Sequence, residues 1–69
     1  MRARVCSINA TESERQRVLE TVNALIPRSN LCYVVDEEGQ GGFEATVHAE
    51  INRAALASLI WSVLRPERG

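Results

Sequence analysis

Leu31-Cys32-Tyr33-Val34-Val35-Asp36-Glu37-Glu38-Gly39-Gln40-Gly41-Gly42-Phe43-Glu44-Ala45-Thr46-Val47-His48-Ala49-Glu50 is the stretch that decides the fold. Leu31 to Val35 is a β-branched and aromatic run, which reads as a strand. Leu31, Tyr33 and Val35 share one face; Cys32 and Val34 share the other. Asp36 to Gly42 is polar and glycine-rich, a turn. From Phe43 to Glu50 the residues alternate: Phe43, Ala45, Val47 and Ala49 on one face, Glu44, Thr46, His48 and Glu50 on the other. That alternation marks a second strand with one buried face. The pair is a hairpin.

Helices flank the hairpin. Upstream, Thr11-Glu12-Ser13-Glu14 fits a capping box, with Thr11 as N-cap and Glu14 reaching back to it. Val18, Leu19, Val22, Leu25 and Ile26 then recur at helical spacing. Arg15, Arg17, Glu20 and Asn23 are expected on the solvent side. Pro27 disfavours helical geometry at Ile26, so the helix ends there. Downstream, Asn52 caps a helix from Arg53 to about Leu64, with Pro66 as its stop. Arg2 to Ile8 is a first strand whose faces are both mixed, so its inward side stays undecided; Cys6 and Ile8 could lie on either.

The order is therefore strand, helix, strand, strand, helix, a single α+β domain over residues 1–69. A three-stranded antiparallel sheet in the order 1-3-2 satisfies every pairing and lets both helices cover one face. Its two outer strands lie at least ~9 Å apart. A disulfide needs Cα atoms within about 7 Å, so Cys6 and Cys32 are expected to stay unpaired within one copy.

A chain of 69 residues has little core to spare. Domains of this size bury only about 60% of the surface that their unfolded chains expose. Apolar residues make up 45% and charged residues 25%, and the net charge is −1. This composition excludes a disordered chain and a strongly basic, phosphate-holding field. All eight basic residues are Arg, first of all a coding bias. No apolar run approaches the ~20 residues of a membrane span. Met1-Arg2-Ala3-Arg4 is followed by no apolar stretch of the secretory kind, so a cytoplasmic protein is expected.

The second helix carries the functional signal. Leu56, Leu59, Ile60, Val63 and Leu64 form a core stripe, and Ala54, Ala57 and Trp61 form a neighbouring one. Together they span about two-thirds of the circumference, beyond the ~100° that a surface helix needs. Trp61 either folds over the edge of the core or joins Ala54 and Ala57 in receiving another chain. Small residues around one aromatic suit a docking helix, and a small domain gains from association.

Other candidates for chemistry are weak. His48 lies on the polar face of the strand between Thr46 and Glu50, which reads as a solvated or interface residue and not as a general base. Glu44 and Glu50 are a long reach for a metal pair. Gly39-Gln40-Gly41-Gly42 precedes a strand, not a helix, and follows three carboxylates, so it is a turn and not a phosphate cradle. No Ser, Cys or Lys nucleophile has a recognisable setting. The expectation is a non-enzyme with no catalytic residue, cofactor or metal.

The stretch Val47-His48-Ala49-Glu50-Ile51-Asn52-Arg53-Ala54-Ala55-Leu56-Ala57-Ser58-Leu59-Ile60-Trp61-Ser62-Val63-Leu64-Arg65 resembles the small Pcc subunit of the KEOPS/EKC complex. The likeness extends to the acidic start of the first helix and to its end, Ala24-Leu25-Ile26-Pro27. Family helices carry an Arg inside the Ala-Leu stretch and an Asn-Ser pair before the last turn; here Ile60-Trp61-Ser62 keeps only the Ser. The resemblance implies the same strand-helix-strand-strand-helix fold and a non-catalytic, homodimeric subunit. Such a subunit docks by its helices onto the catalytic threonylcarbamoyl-transfer subunit of a tRNA-modifying complex, touching tRNA only indirectly. Ala54, Ala57, Ser58, Trp61 and Arg65 would then face that partner. Cys32, Val34, Thr46 and His48, on the mixed sheet face, would form the dimer. A KH-like RNA-binding module is the alternative if Arg2, Arg4, Arg15 and Arg17 cluster. It lacks a GxxG loop between helices. A small ligand-binding regulatory domain is a third reading.

Overall fold

The computed structural model describes residues 2–47 and 51–65. The strands are β1 (Arg2–Ser7), β2 (Cys32–Val35) and β3 (Gly41–Thr46); the helices are α1 (Glu12–Leu25) and α2 (Arg53–Leu64). They form an antiparallel sheet in the order β1-β3-β2, as the hairpin and its flanks require. α1 packs on α2 and β2, and α2 packs on β1, so the helices form one layer over one sheet face. Cys6, Val18, Val22, Leu31, Phe43, Ala45, Ile51, Leu56 and Ile60 make the buried core between the layers. Phe43, in the central strand, is fully buried and meets Tyr33 edge-to-face at 5.0 Å.

Local chemistry fixes the ends of the elements. Thr11 Oγ1 accepts from the Glu14 N–H, and Glu14 Oε1 accepts from the Thr11 N–H, a complete capping box. Asn52 Oδ1 accepts from the Ala55 N–H at the start of α2. In the hairpin, the Asp36 carboxylate accepts from the Glu38 and Gln40 N–H groups, and Gly39 adopts φ +84°. Only a residue without Cβ holds that angle without strain.

Six sequence expectations change. β3 starts at Gly41, two residues early, so Gly41 and Gly42 belong to the sheet and not to the turn. A Cβ on Gly41 would fall on the Tyr33 hydroxyl, and one on Gly42 on the Arg4 guanidinium; glycine lets both long side chains lie flat. β3 also ends at Thr46; His48, Ala49, Glu50 and Pro66 lie outside the described residues. In β1 the pairing shifts between Arg4, opposite Glu44, and Cys6, opposite Phe43. The extra residue is a β-bulge. It turns Cys6 into the core, where Ile8 also packs, so neither lies on the open face. Leu25, counted with the core stripe, is 64% exposed at the last turn of α1. Arg15 is not on a purely solvated side, because its guanidinium stacks 5.0 Å from the centre of the Tyr33 ring.

Asn23 is the sixth. It is half-buried and clamps the entry to β2: Oδ1 accepts from the Leu31 N–H (2.9 Å), and Nδ2 donates to the Leu31 carbonyl (3.1 Å). Both Leu31 groups would be left unpaired in Asn23→Ala. The substitution should cost about 1–3 kcal/mol, read as a lower urea midpoint. A midpoint equal to that of the parent protein would show that water replaces the clamp freely.

Candidate functional site

α2 uses its inner side for the domain. Leu56 and Ile60 are fully buried, and Leu59, Val63 and Leu64 pack beside them. This is the core stripe read from the spacing. On the other side, Ala54, Ser58, Trp61 and Arg65 are exposed and Ala57 is half-buried. The five residues therefore share one continuous flank. Trp61 is 41% exposed; it is not folded into the core. Arg65 lies 5.4 Å from the centre of the Trp61 ring, an arrangement worth about 0.5–1 kcal/mol at an exposed site. The flank thus presents an aromatic plane with a cation on it, beside small residues that let another backbone come close. Arg65 was placed here by position alone; its stacking on Trp61 follows from the i, i+4 spacing.

The second candidate region is the sheet face away from the helices. Register places Arg2, Arg4, Ser7, Cys32, Val34, Gly42, Glu44 and Thr46 on it. Cys32, Val34 and Thr46 therefore share one surface, as expected; His48 is outside the described residues. Arg4 Nε lies 3.6 Å from Glu44 Oε2, and its Nη1 donates to Ser7 Oγ (3.2 Å). Nε itself is buried with no hydrogen-bond partner among the described residues. The Arg2 guanidinium reaches across the strands to the Cys32 thiol.

Sequence reasoning missed Tyr33. Its hydroxyl accepts from the Ala10 N–H (3.0 Å) and donates to the Ile8 carbonyl (3.1 Å), tying the exit of β1 to β2. An aromatic in a strand signals core; nothing local signals a partner more than twenty residues away.

The cysteines are free and differ in environment. Burial pushes the Cys6 thiol above the ordinary cysteine range. A raised thiol favours the protonated folded state. Its contribution to stability is present below the ordinary thiol range and is lost as the pH climbs through and above that range. Native protein treated with iodoacetamide should take one label, on Cys32, and denatured protein two. Labelling of Cys6 at the rate of Cys32 would contradict the burial. Among the described residues no three His, Cys, Asp or Glu side chains converge on a common point, and no helix is long and apolar enough to cross a membrane.

No family profile, curated protein or solved structure matches the chain.

Proposed function

We propose that this protein is a non-catalytic docking and dimerisation subunit, and that its partner is the catalytic threonylcarbamoyl-transfer subunit of a tRNA-modifying complex of the KEOPS kind. One observation carries the reading: α2 keeps an apolar flank around a half-exposed Trp61, while its opposite side already serves the core. The likeness of residues 47–65 to the Pcc helix names the partner. A helix with small residues beside one aromatic suits a facing helix, because the small residues set close approach and the aromatic supplies the anchor.

Charge distribution favours a protein partner over RNA. Arg2 and Arg4 lie on the open sheet face, with Arg4 beside Glu44, whereas Arg15 stacks on Tyr33 towards the helix layer. A phosphate track needs such charges along one surface. A regulatory ligand site fares no better: the open depression beside Val35 is otherwise lined by Asp36, Glu37 and Glu38.

Calorimetric titration of this chain into the catalytic subunit should give a saturable complex, with no transfer activity from this chain alone. Absence of heat together with separate elution on gel filtration would overturn the reading.

A further inference from the structure

The bulge in β1 does more than bury Cys6. In an unbroken strand the residue three places further on lies on the opposite face. The shift between Arg4 and Cys6 adds one residue, so Ser7 returns to the face that carries Arg2 and Arg4. Ser7 is exposed there, and its hydroxyl accepts from Arg4 Nη1 (3.2 Å). The Ile8 N–H bonds inward to the Gly41 carbonyl. Bonding alternates along an antiparallel ladder, so the backbone of Ser7 faces the outer edge of the sheet. Side chain and backbone are therefore both open to a second protein.

Arg4 has donors to spare. A guanidinium carries five N–H groups, and one of them serves Ser7. Glu44 Oε2 lies 3.6 Å from Nε, an ion pair beyond hydrogen-bond length, and Nε has no other partner among the described residues. Gly42 lies beneath. A Cβ there would strike the guanidinium, so glycine lets the arginine lie against the sheet beside the hydroxyl.

The sequence sets this hydroxyl apart as well. Arg2-Ala3-Arg4-Val5-Cys6-Ser7 places arginines five and three residues before a serine, and no other Ser or Thr of the chain has Arg at the third place before it. Kinases choose substrates by such charge patterns.

We propose that Ser7 is a phosphorylation site for a serine kinase that selects basic segments, and that Arg4 holds the phosphate. The γ-phosphoryl group of ATP passes to Ser7 Oγ. The phosphorus–Oγ bond forms, the bond from that phosphorus to the bridging oxygen breaks, ADP leaves, and the hydroxyl proton goes to the base of the kinase. The product carries close to two negative charges and three acceptor oxygens. These match the spare donors of Arg4, and charge-assisted hydrogen bonds are about twice as strong as neutral ones. Arg4 then turns from Glu44 to the phosphate. Arg2, Arg4 and Glu44 give the open face a positive excess, and the phosphate reverses its sign. This face lies away from the helices, so the site stands apart from docking through α2.

The full chain, incubated with ATP and the catalytic subunit of a kinase that requires Arg three residues before its serine, should take up one phosphate. Mass spectrometry should map it to Ser7. Ser7→Ala should take up none, and Arg4→Gln should react at least about tenfold more slowly, the loss of one charged recognition contact. No uptake by the native chain, uptake only after denaturation, phosphate on another residue, or an equal rate for Arg4→Gln would overturn the site. A chain of 69 residues is also within reach of total synthesis with phosphoserine at position 7. Phosphorus resonance titration then reads the seat. An unheld phosphoserine has its second ionisation at about pH 6, and the adjacent guanidinium should lower it by about one unit. Arg4→Gln should restore the unheld value, whereas Glu44→Gln, which removes the competing carboxylate, should lower it further. An ionisation that stays at the unheld value with Arg4 present, or that Arg4→Gln does not move, would overturn the role of Arg4.

Discussion

Phe43→Ala should cost about 3–5 kcal/mol and lower the melting temperature by roughly 20–30 °C. Phe43 is fully buried in the central strand, under both helices and against the Tyr33 ring. A domain of this length holds only about 3–10 kcal/mol in all, so the variant should be largely unfolded at or near room temperature. Leu25→Ala is the matched control. Its side chain is 64% exposed, and the change should stay within about 0.5 kcal/mol. Thermal circular dichroism distinguishes the two. Equal losses would mean that the core is not centred on β3.

Trp61→Glu should leave the fold in place and weaken docking about thirtyfold or more, the loss of some 2 kcal/mol that a hot-spot Trp carries. Its ring is 41% exposed and its fixed neighbour is Arg65 on the same flank. Ile60→Ala, one residue earlier, removes a fully buried side chain and should cost about 2–5 kcal/mol of stability instead. The two substitutions thus separate core from proposed interface within one helical turn. If Trp61→Glu melted like Ile60→Ala, Trp61 would belong to the core.

How much of this was legible in the sequence depended on how local each signal is. The capping box at Thr11, the Asn52 cap and the alternation of Phe43, Glu44, Ala45 and Thr46 all act within a few residues, and the structure bears them out. The strand order followed from them, because few topologies join these elements with every pair antiparallel. The bulge in β1 was not legible. One extra residue reverses every later side chain, and mixed faces on both sides of Arg2 to Ile8 hid the reversal that buries Cys6. Asn23, Tyr33, Gly41 and Gly42 were misread or passed over because their partners are distant: Leu31, Ala10 and Ile8, and the side chains of Tyr33 and Arg4. Leu25 kept the helical spacing but ran past the end of the surface that covers the stripe. The flank of α2 was legible because its apolar arc is wider than one neighbour can cover.

Trp61 is the only tryptophan in the chain, which allows the proposed docking surface to be observed through its own ring. With 5-fluorotryptophan incorporated into this chain alone, the fluorine resonance reports the surroundings of that one ring. Adding the catalytic threonylcarbamoyl-transfer subunit should shift the resonance and abolish its solvent isotope effect, in proportion to the complex formed. A complex that forms by calorimetry while the resonance keeps its position and its solvent isotope effect would place the partner elsewhere on the domain and contradict the assignment of α2 as the docking helix.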